Sequence, residues 1–333
     1  MKKLLQTLTE TFGPSGYEDE VRKVVRSEVE ALADEVRVDT LGNLIARRRP
    51  SNPTADTKKV MIAAHMDEIG VIANHVDENG FVRFSPIGGV FRRYVVGGRV
   101  RFLNGTQGVI GFDRLDNVNE LPTLEKVYID VGATSPKDCP VKIGDVAAFE
   151  RPYTELGNRL VAKSMDNRVG VLVAIETLRT LKSTLYDLYF VFTTQEEVGV
   201  RGATTSAYGV DPDLGIALDV CPTGDTPNAQ RMEMALGKGP CIKIQDMSMI
   251  ADPRVVQWMI RAAEKNKISY QREVLLMGGT DARAIQATRA GVPTGCISIP
   301  ARYVHSPSEM VDYSDVQNAV KLLTALLRTP IDL

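Results

Sequence analysis

"DLYFVFTTQEEVGVRG", residues 187–202, runs from an apolar segment straight into two adjacent carboxylates and a glycine. The apolar part reads as a buried strand, closed by Glu196 and Glu197. The buried end of a strand is a costly place for charge unless that charge is paired or metal-bound. Neighbouring side chains on an extended segment point to opposite faces, so two adjacent glutamates at one site are expected to have different tasks. The expectation is that Glu197 holds a metal and Glu196 moves a proton.

Around this stretch, apolar strands alternate with helical patterns. "KVMIAA" (59–64) is a continuous apolar strand ending at His65, and "DLGIALDV" (213–220) and "TGCISIP" (294–300) are two more. Residues 15–33 have the capping-box pattern Ser15-x-x-Glu18 before a helical apolar spacing. Residues 35–49 read as a hairpin turning at Gly42-Asn43. Helices are expected at 167–182, 253–267 (with Trp258 in the core), 282–291 and 314–328, the last capped by Ser314 or Asp315. From about 70 to 156 the texture changes to short alternating segments cut by "DENGF", "IGGV", "VGGRV", "NGTQG" and "KIGD". That spacing predicts a small all-β, barrel-like unit. The fold expected is α/β: a mainly parallel mixed sheet flanked by helices, formed by residues 1–69 and 157–333, with residues 70–156 inserted.

Composition narrows the function. The 333 residues are 44% hydrophobic and 25% charged with net charge −2, so neither nucleic acid nor an anionic membrane is implied as a partner. No run approaches a membrane span and the N-terminal "MKKLLQTLTETFG" lacks a signal peptide's apolar stretch, so the expected location is cytoplasmic. Four dispersed cysteines with no CxxC give no disulfide framework or thiolate zinc site, and Cys221 reads as a small buried residue.

Only three histidines are present, and two of them fall where carboxylates collect. The places are "AAHMDEIG" (His65, Asp67), "AKSMDNRVG" (Asp166), "TTQEEVG" (Glu196, Glu197), "ALDVC" (Asp219) and "RYVHSPSE" (His305). Parallel sheets bind ligands beyond the carboxyl ends of their strands, where these segments can meet. Singly, each has an ordinary reading: Asp166 as a helix cap, Asp219 as a turn residue, the histidines as hydrogen-bonded structural residues. Together, two imidazoles and several carboxylates without cysteine suit two divalent cations, Zn²⁺, Co²⁺ or Mn²⁺ better than Ca²⁺ and Zn²⁺ or Co²⁺ before Mn²⁺, bridged by a carboxylate. The spacing His65-x-Asp67 lets Asp67 orient the imidazole. His75 reads as a surface turn residue. Asp281, in "MGGTDARAIQ", reads equally as a cap or a substrate contact, and Gly278 and Gly279 as a tight turn or a close backbone approach to substrate. Arg283 and Arg302 read as surface salt bridges or as cations for an acidic substrate residue.

"AAHMDEIG", "KSMDNRVG", "QEEVGVRGA", "ALDV", "GGTDA" and "IPARYVHSPSE", in this order and with the N-terminal "FGPSGYE", resemble the tetrahedral dinuclear metallo-aminopeptidases, the glutamyl and leucyl aminopeptidases. The resemblance spans nearly the whole chain. It implies that His65 and Asp219 bind one metal, that Glu197 and His305 bind the other, and that Asp166 bridges them. Glu196 is then the general base and Asp67 supports His65. The reaction implied is hydrolysis of N-terminal residues from short peptides by a metal-bridging hydroxide. The insertion resembles the family's dimerisation domain, implying dimers and then a tetrahedral dodecamer. Two rival reactions use the same residues: deacylase or carboxypeptidase action at the same metals, and glycoside hydrolysis by Glu196 and Glu197. The last needs two carboxyl groups flanking a sugar and generally no metal.

Overall fold

The computed structural model describes residues 1–50, 52–117 and 119–331. In chain order the first strands are β1 (Glu35–Val38), β2 (Leu44–Arg48) and β3 (Lys59–His65). Six more follow: β4 (Gly70–Val76), β5 (Val82–Ile87), β6 (Arg99–Phe102), β7 (Gln107–Phe112), β8 (Val127–Asp130) and β9 (Val146–Glu150). The remainder are β10 (Thr154–Leu156), β11 (Arg159–Ala162), β12 (Asp187–Thr193), β13 (Leu214–Pro222), β14 (Cys241–Gln245), β15 (Gln271–Val274), β16 (Thr294–Arg302) and β17 (Glu309–Asp312). The helices are α1 (Lys2–Glu10), α2 (Asp19–Val29), α3 (Arg92–Val95), α4 (Met165–Thr180), α5 (Arg201–Val210), α6 (Pro253–Lys265), α7 (Asp281–Gln286) and α8 (Tyr313–Leu326).

Strands β12, β3, β13 and β16 lie side by side and parallel at the centre of an eleven-stranded sheet, and antiparallel strands extend it on both sides. Strand β3 shows why its sequence is apolar without alternation. Val60, Ile62 and Ala64 enter the core under α1, α2, α4, α6 and α8, while Met61 and Ala63 enter a smaller core under α5 and α7. A strand covered on both faces needs apolar side chains at every position. Helix α4 is buried at thirteen of its sixteen residues, as expected of a helix that is apolar nearly all round. Strands β4 to β9 close into an antiparallel barrel with its own core, including Val71, Phe84, Val100, Phe102 and Ile129.

Several local expectations are corrected. The capping box at Ser15 does not form: α2 begins at Asp19, Ser15 Oγ donates to Asp67 Oδ2 (2.6 Å), and Glu18 turns inward. Tertiary acceptors and donors take the two side chains that would have bonded locally. Asp312 caps α8, accepting from the Ser314 N–H. Thr280, not Asp281, caps α7, which ends at Gln286 instead of reaching Gly291. His75 lies in β4, exposed, and not in a turn. Trp258 is core. Helices α1 and α5 and strands β11, β14, β15 and β17 are additional to the elements expected from the sequence.

Gly202, in the first turn of α5, packs under the acidic loop. A Cβ there would sit 2.3 Å from Asn43 Oδ1 and 2.4 Å from the Thr194 carbonyl oxygen. Gly202→Ala is expected to cost roughly 1–3 kcal/mol of stability by overpacking, read from urea denaturation. An unchanged midpoint would show that the loop can move aside.

Candidate active site

The carboxyl ends of the parallel strands deliver most of the polar residues singled out in the sequence. His65 ends β3, Asp219 lies near the end of β13, Glu196 and Glu197 follow β12, and His305 lies in the loop between β16 and β17. Asp166 comes from the start of α4, where it departs from helical geometry, and the Asp166–Asn167 peptide is cis. His65, Asp166, Glu196, Glu197, Asp219 and His305 all line one cleft of about 660 Å³.

The two imidazoles meet opposite ends of one carboxylate. His65 Nε2 is 3.1 Å from Asp166 Oδ1 and 3.8 Å from Asp219 Oδ1. His305 Nε2 is 3.2 Å from Glu197 Oε2 and 3.5 Å from Asp166 Oδ2. One donor atom each from His65, Asp166 and Glu197 lie within 4.8 Å of one another.

Polar groups behind this layer fix its backbone. Asp67 lies beside His65, with its carbonyl oxygen 3.2 Å and its carboxylate 3.5 Å from Nδ1. The Asp67 carboxylate also accepts from the N–H groups of Glu196 (3.0 Å) and Glu197 (3.1 Å), so it anchors the acidic pair as well as the imidazole. Glu309 is buried and accepts from the N–H groups of Asp166 (2.9 Å) and His305 (2.7 Å). His305 Nδ1 lies 3.0 Å from the Gly89 carbonyl oxygen, which the barrel supplies. A Cβ at Gly89 would lie 2.4 Å from that nitrogen, so only glycine lets the backbone come this close. Ser164, Gln195, Val200, Tyr303 and His305 all have φ between 49° and 61°, a concentration of left-handed backbone characteristic of functional sites. Glu196 and Glu197 therefore sit on a turn, not on an extended segment, and the turn lets both line the cleft.

The electrostatics follow from burial. Burial pushes the carboxyls of Glu197 and Asp219 up and that of Glu196 well up, with neighbouring carboxylates adding to it. Against its own burial, Asp166 is held low by hydrogen bonds from His305 and His65. Both imidazoles are raised despite burial, His65 chiefly by Asp166 and Asp219, His305 by Glu197 and Asp166. Four carboxylates thus face two imidazoles, an imbalance of negative charge that bound cations would offset.

Met247, Leu275 and Met277 form an apolar part of the cleft wall, and Phe91 and Tyr94 approach from the barrel. Gly278, Gly279 and Arg283 also line it. Asp281 is buried and accepts from the Thr193 hydroxyl. Lys243 is neutralised by Glu273 and Asp246. Arg302 forms a two-point ion pair with Asp225 (3.0 and 2.8 Å) and does not line the cleft. Cys221 is buried against Cys241. The sequence alone assigns no function to Glu18, Asn43, Gly89 or Glu309. The turn sequences "LGN" and "IGGV" and the ends of "FGPSGYE" and "HSPSE" were the available signals.

A family model described as M42 glutamyl aminopeptidase matches residues 42–322. The chain belongs to this family of peptide-bond hydrolases. Among M42 relatives, it is 35% identical over 341 residues to a lysyl aminopeptidase of Pyrococcus furiosus, covering 98% of this chain and 96% of that one. Its structure matches an aminopeptidase from the archaeon Desulfurococcus kamchatkensis with a TM-score of 0.95 at 41% identity, over 99% of this chain and 94% of the other. It also matches the TET1 peptidase of Pyrococcus horikoshii, which can assemble into a tetrahedron or a large octahedral shell, with a TM-score of 0.88 at 30% identity over 99% of both chains. No described helix of this M42 chain is long and apolar enough to cross a membrane.

The Arg302–Asp225 pair carries a pH signature. Against partial burial, the Arg302 hydrogen bonds hold the Asp225 carboxyl below the usual carboxylate range. A carboxyl whose folded pKa is depressed contributes stability above its unfolded pKa of about 4 and loses it as pH falls through the folded value. Arg302→Met is expected to cost about 1 kcal/mol at pH 7, since the pair is partly exposed. The difference from the parent protein should shrink in urea denaturation as the pH falls below about 4. A gap that stays constant with pH would assign the cost to lost packing.

Proposed function

We propose that this chain is a two-metal aminopeptidase that removes single residues from the free N-terminus of short peptides. The observation that carries the reading is Asp166, whose two oxygens each face a different imidazole. A carboxylate shared by two cations would present itself in this way. His65 and Asp219 would hold one cation, Glu197 and His305 the other, and Asp166 both. Imidazole nitrogens and carboxylate oxygens without thiolate fit Zn²⁺ or Co²⁺, and the excess of carboxylates over imidazoles fits the added positive charge. When bound, the pair supplies an acidified water and a polarised scissile carbonyl.

The remaining work falls to the chain's own residues. Glu196 lines the cleft beside the donor set, close enough to His65 to feel its charge. It is free to take a proton from the attacking water and return it to the leaving amine. Asp67 holds Glu196 and Glu197 by consecutive N–H groups, so one can act as base while the other stays with the donors. Glu309 and the Gly89 carbonyl keep His305 aimed inward.

The barrel is assigned to dimer contacts, with dimers assembling into a twelve-subunit tetrahedron. Exposed Leu103, Val109, Phe112 and Ile143 on the barrel support this role, as does the assembly of the P. horikoshii relative. A closed shell would restrict entry to short or unfolded peptides. Native mass spectrometry is expected to show twelve subunits; a monomer at working concentration would remove the assembly from the account.

The reaction is tested with chelator-stripped protein, with and without added Zn²⁺ or Co²⁺, on peptides carrying free and acetylated N-termini. Metal-restored cleavage of free-amine peptides alone is the expected result. Cleavage of acetylated peptides would instead favour a deacylase or carboxypeptidase. Glu196→Gln is expected to keep its metal content while kcat falls about 10²–10⁴-fold, the usual scale of general-base catalysis. Parent-like turnover in that variant would remove Glu196 from the base role.

A further inference from the structure

The N-terminal "FGPSGYE" has no part in the chemistry proposed above, yet it reaches the loop that carries it. Four consecutive backbone N–H groups, Thr194 to Glu197, all donate to side chains from distant segments. Thr194 donates to Asn43 Oδ1 (3.0 Å), Gln195 to Glu18 Oε1 (3.1 Å), and Glu196 and Glu197 to the two oxygens of Asp67 (3.0 and 3.1 Å). The cause is the left-handed turn at Gln195 (φ 56°), which takes the chain out of the sheet as β12 ends. These N–H groups then have no strand neighbour, and a donor left without an acceptor at a poorly hydrated position costs its desolvation.

We infer that Glu18 is a positioning residue for the acidic loop: its carboxylate oxygen fixes the Gln195 N–H and thereby the direction in which Glu196 leaves the turn. This inference rests on the reading of Glu196 as the general base. Glu18 is 4% exposed and stands at the start of α2 without capping it, so no helix-end role accounts for its inward orientation. It is aimed from a firm base. Gly16 N–H donates to the same Oε1 (2.7 Å). The Ser15 N–H bonds the Glu68 carbonyl (3.3 Å), and the Glu68 N–H bonds the Gly13 carbonyl (3.0 Å). Fully buried Arg168 ties this segment down further, donating to the carbonyls of Leu8, Thr11 and Met66. Ser15 Oγ meets Asp67 from the same segment. Glu18 and Asp67 therefore grip adjacent N–H groups of the loop, one from the N-terminal segment and one from the end of β3. A displacement of about 1 Å at a reacting group costs on the order of 100-fold in rate, so release of one of these N–H groups should be visible in kcat.

The test compares Glu18→Gln, which keeps an acceptor of the same reach, with Glu18→Asp, which keeps the carboxyl group but shortens the reach, and Glu18→Ala. The readouts are kcat and KM on a free-amine peptide, bound metal, thermal midpoint, and hydrogen exchange of the amides at 194–197. The expected result is that Gln stays within about threefold of the parent in kcat. Asp and Ala should fall tenfold or more with KM and bound metal nearly unchanged, and exchange should quicken at Gln195 and its neighbours. If Ala does not fold, the Asp variant decides. Parent-like kcat and protection in the Asp variant would overturn the inference, as would a Gln variant as impaired as Asp. A parent protein that cleaves no free-amine peptide would instead refute the aminopeptidase reading, while the exchange readout would still report whether Glu18 holds the loop.

Discussion

Four carboxylates and two imidazoles gathered in one cleft impose a constraint that reaches most of the fold. Asp166, Glu196, Glu197 and Asp219 repel one another, and low hydration strengthens the repulsion. Besides the imidazoles that pair with three of them, the cluster is kept together by the hold on the backbone beneath it. The structure does this with a recurring contact: backbone N–H groups of the cluster's residues donate to buried carboxylates behind it. Asp67 takes the N–H groups of Glu196 and Glu197, and Glu309 takes those of Asp166 and His305. Against its own burial, the Asp67 carboxyl is held below the usual carboxylate range by His65, and hydrogen bonds to such a charged acceptor are about twice as strong as neutral ones.

That requirement explains what each part of the chain contributes. The central parallel strands bring His65, Asp219 and the acidic loop to one end of the sheet. Arg168, near the start of α4, reaches back to carbonyls at the N-terminus and to the Met66 carbonyl, so helix, N-terminal segment and the loop after β3 form one rigid support. The barrel has a core of its own, yet its Gly89 carbonyl orients His305 and its Phe91 ring lies 5.9 Å from the same imidazole. An inserted barrel that touches the site in this way ties any assembly through that barrel to the geometry of His305.

The sequence revealed the central architecture because burial on both faces leaves a plain mark. After Lys59, "KVMIAA" has no polar position, and the Gly-punctuated stretch after residue 70 has no helical spacing. The polar residues brought together in the cleft were legible for a related reason: charge at the end of an apolar run has few ordinary explanations. What stayed hidden is the layer behind them. Glu18 sits in a sequence that satisfies the capping-box pattern, and the start of α2 at Asp19 with the distant partners Asp67 and Gln195 shows that the pattern is not used. Gly89 belongs to a turn sequence like several others in the barrel. Glu309 closes a quoted motif, but its two partners lie 143 and 4 residues away. Long-range hydrogen bonds to backbone carry no residue-type signature at the partner, so local spacing does not announce them.

The measurement that bears most directly on the central claim is anomalous diffraction from crystals of the chelator-stripped protein reloaded with Zn²⁺. The account predicts two metal peaks about 3.5–4 Å apart, one against His65 and Asp219, the other against Glu197 and His305, with Asp166 reaching both. A single peak, or a pair that leaves Asp166 out, would contradict it.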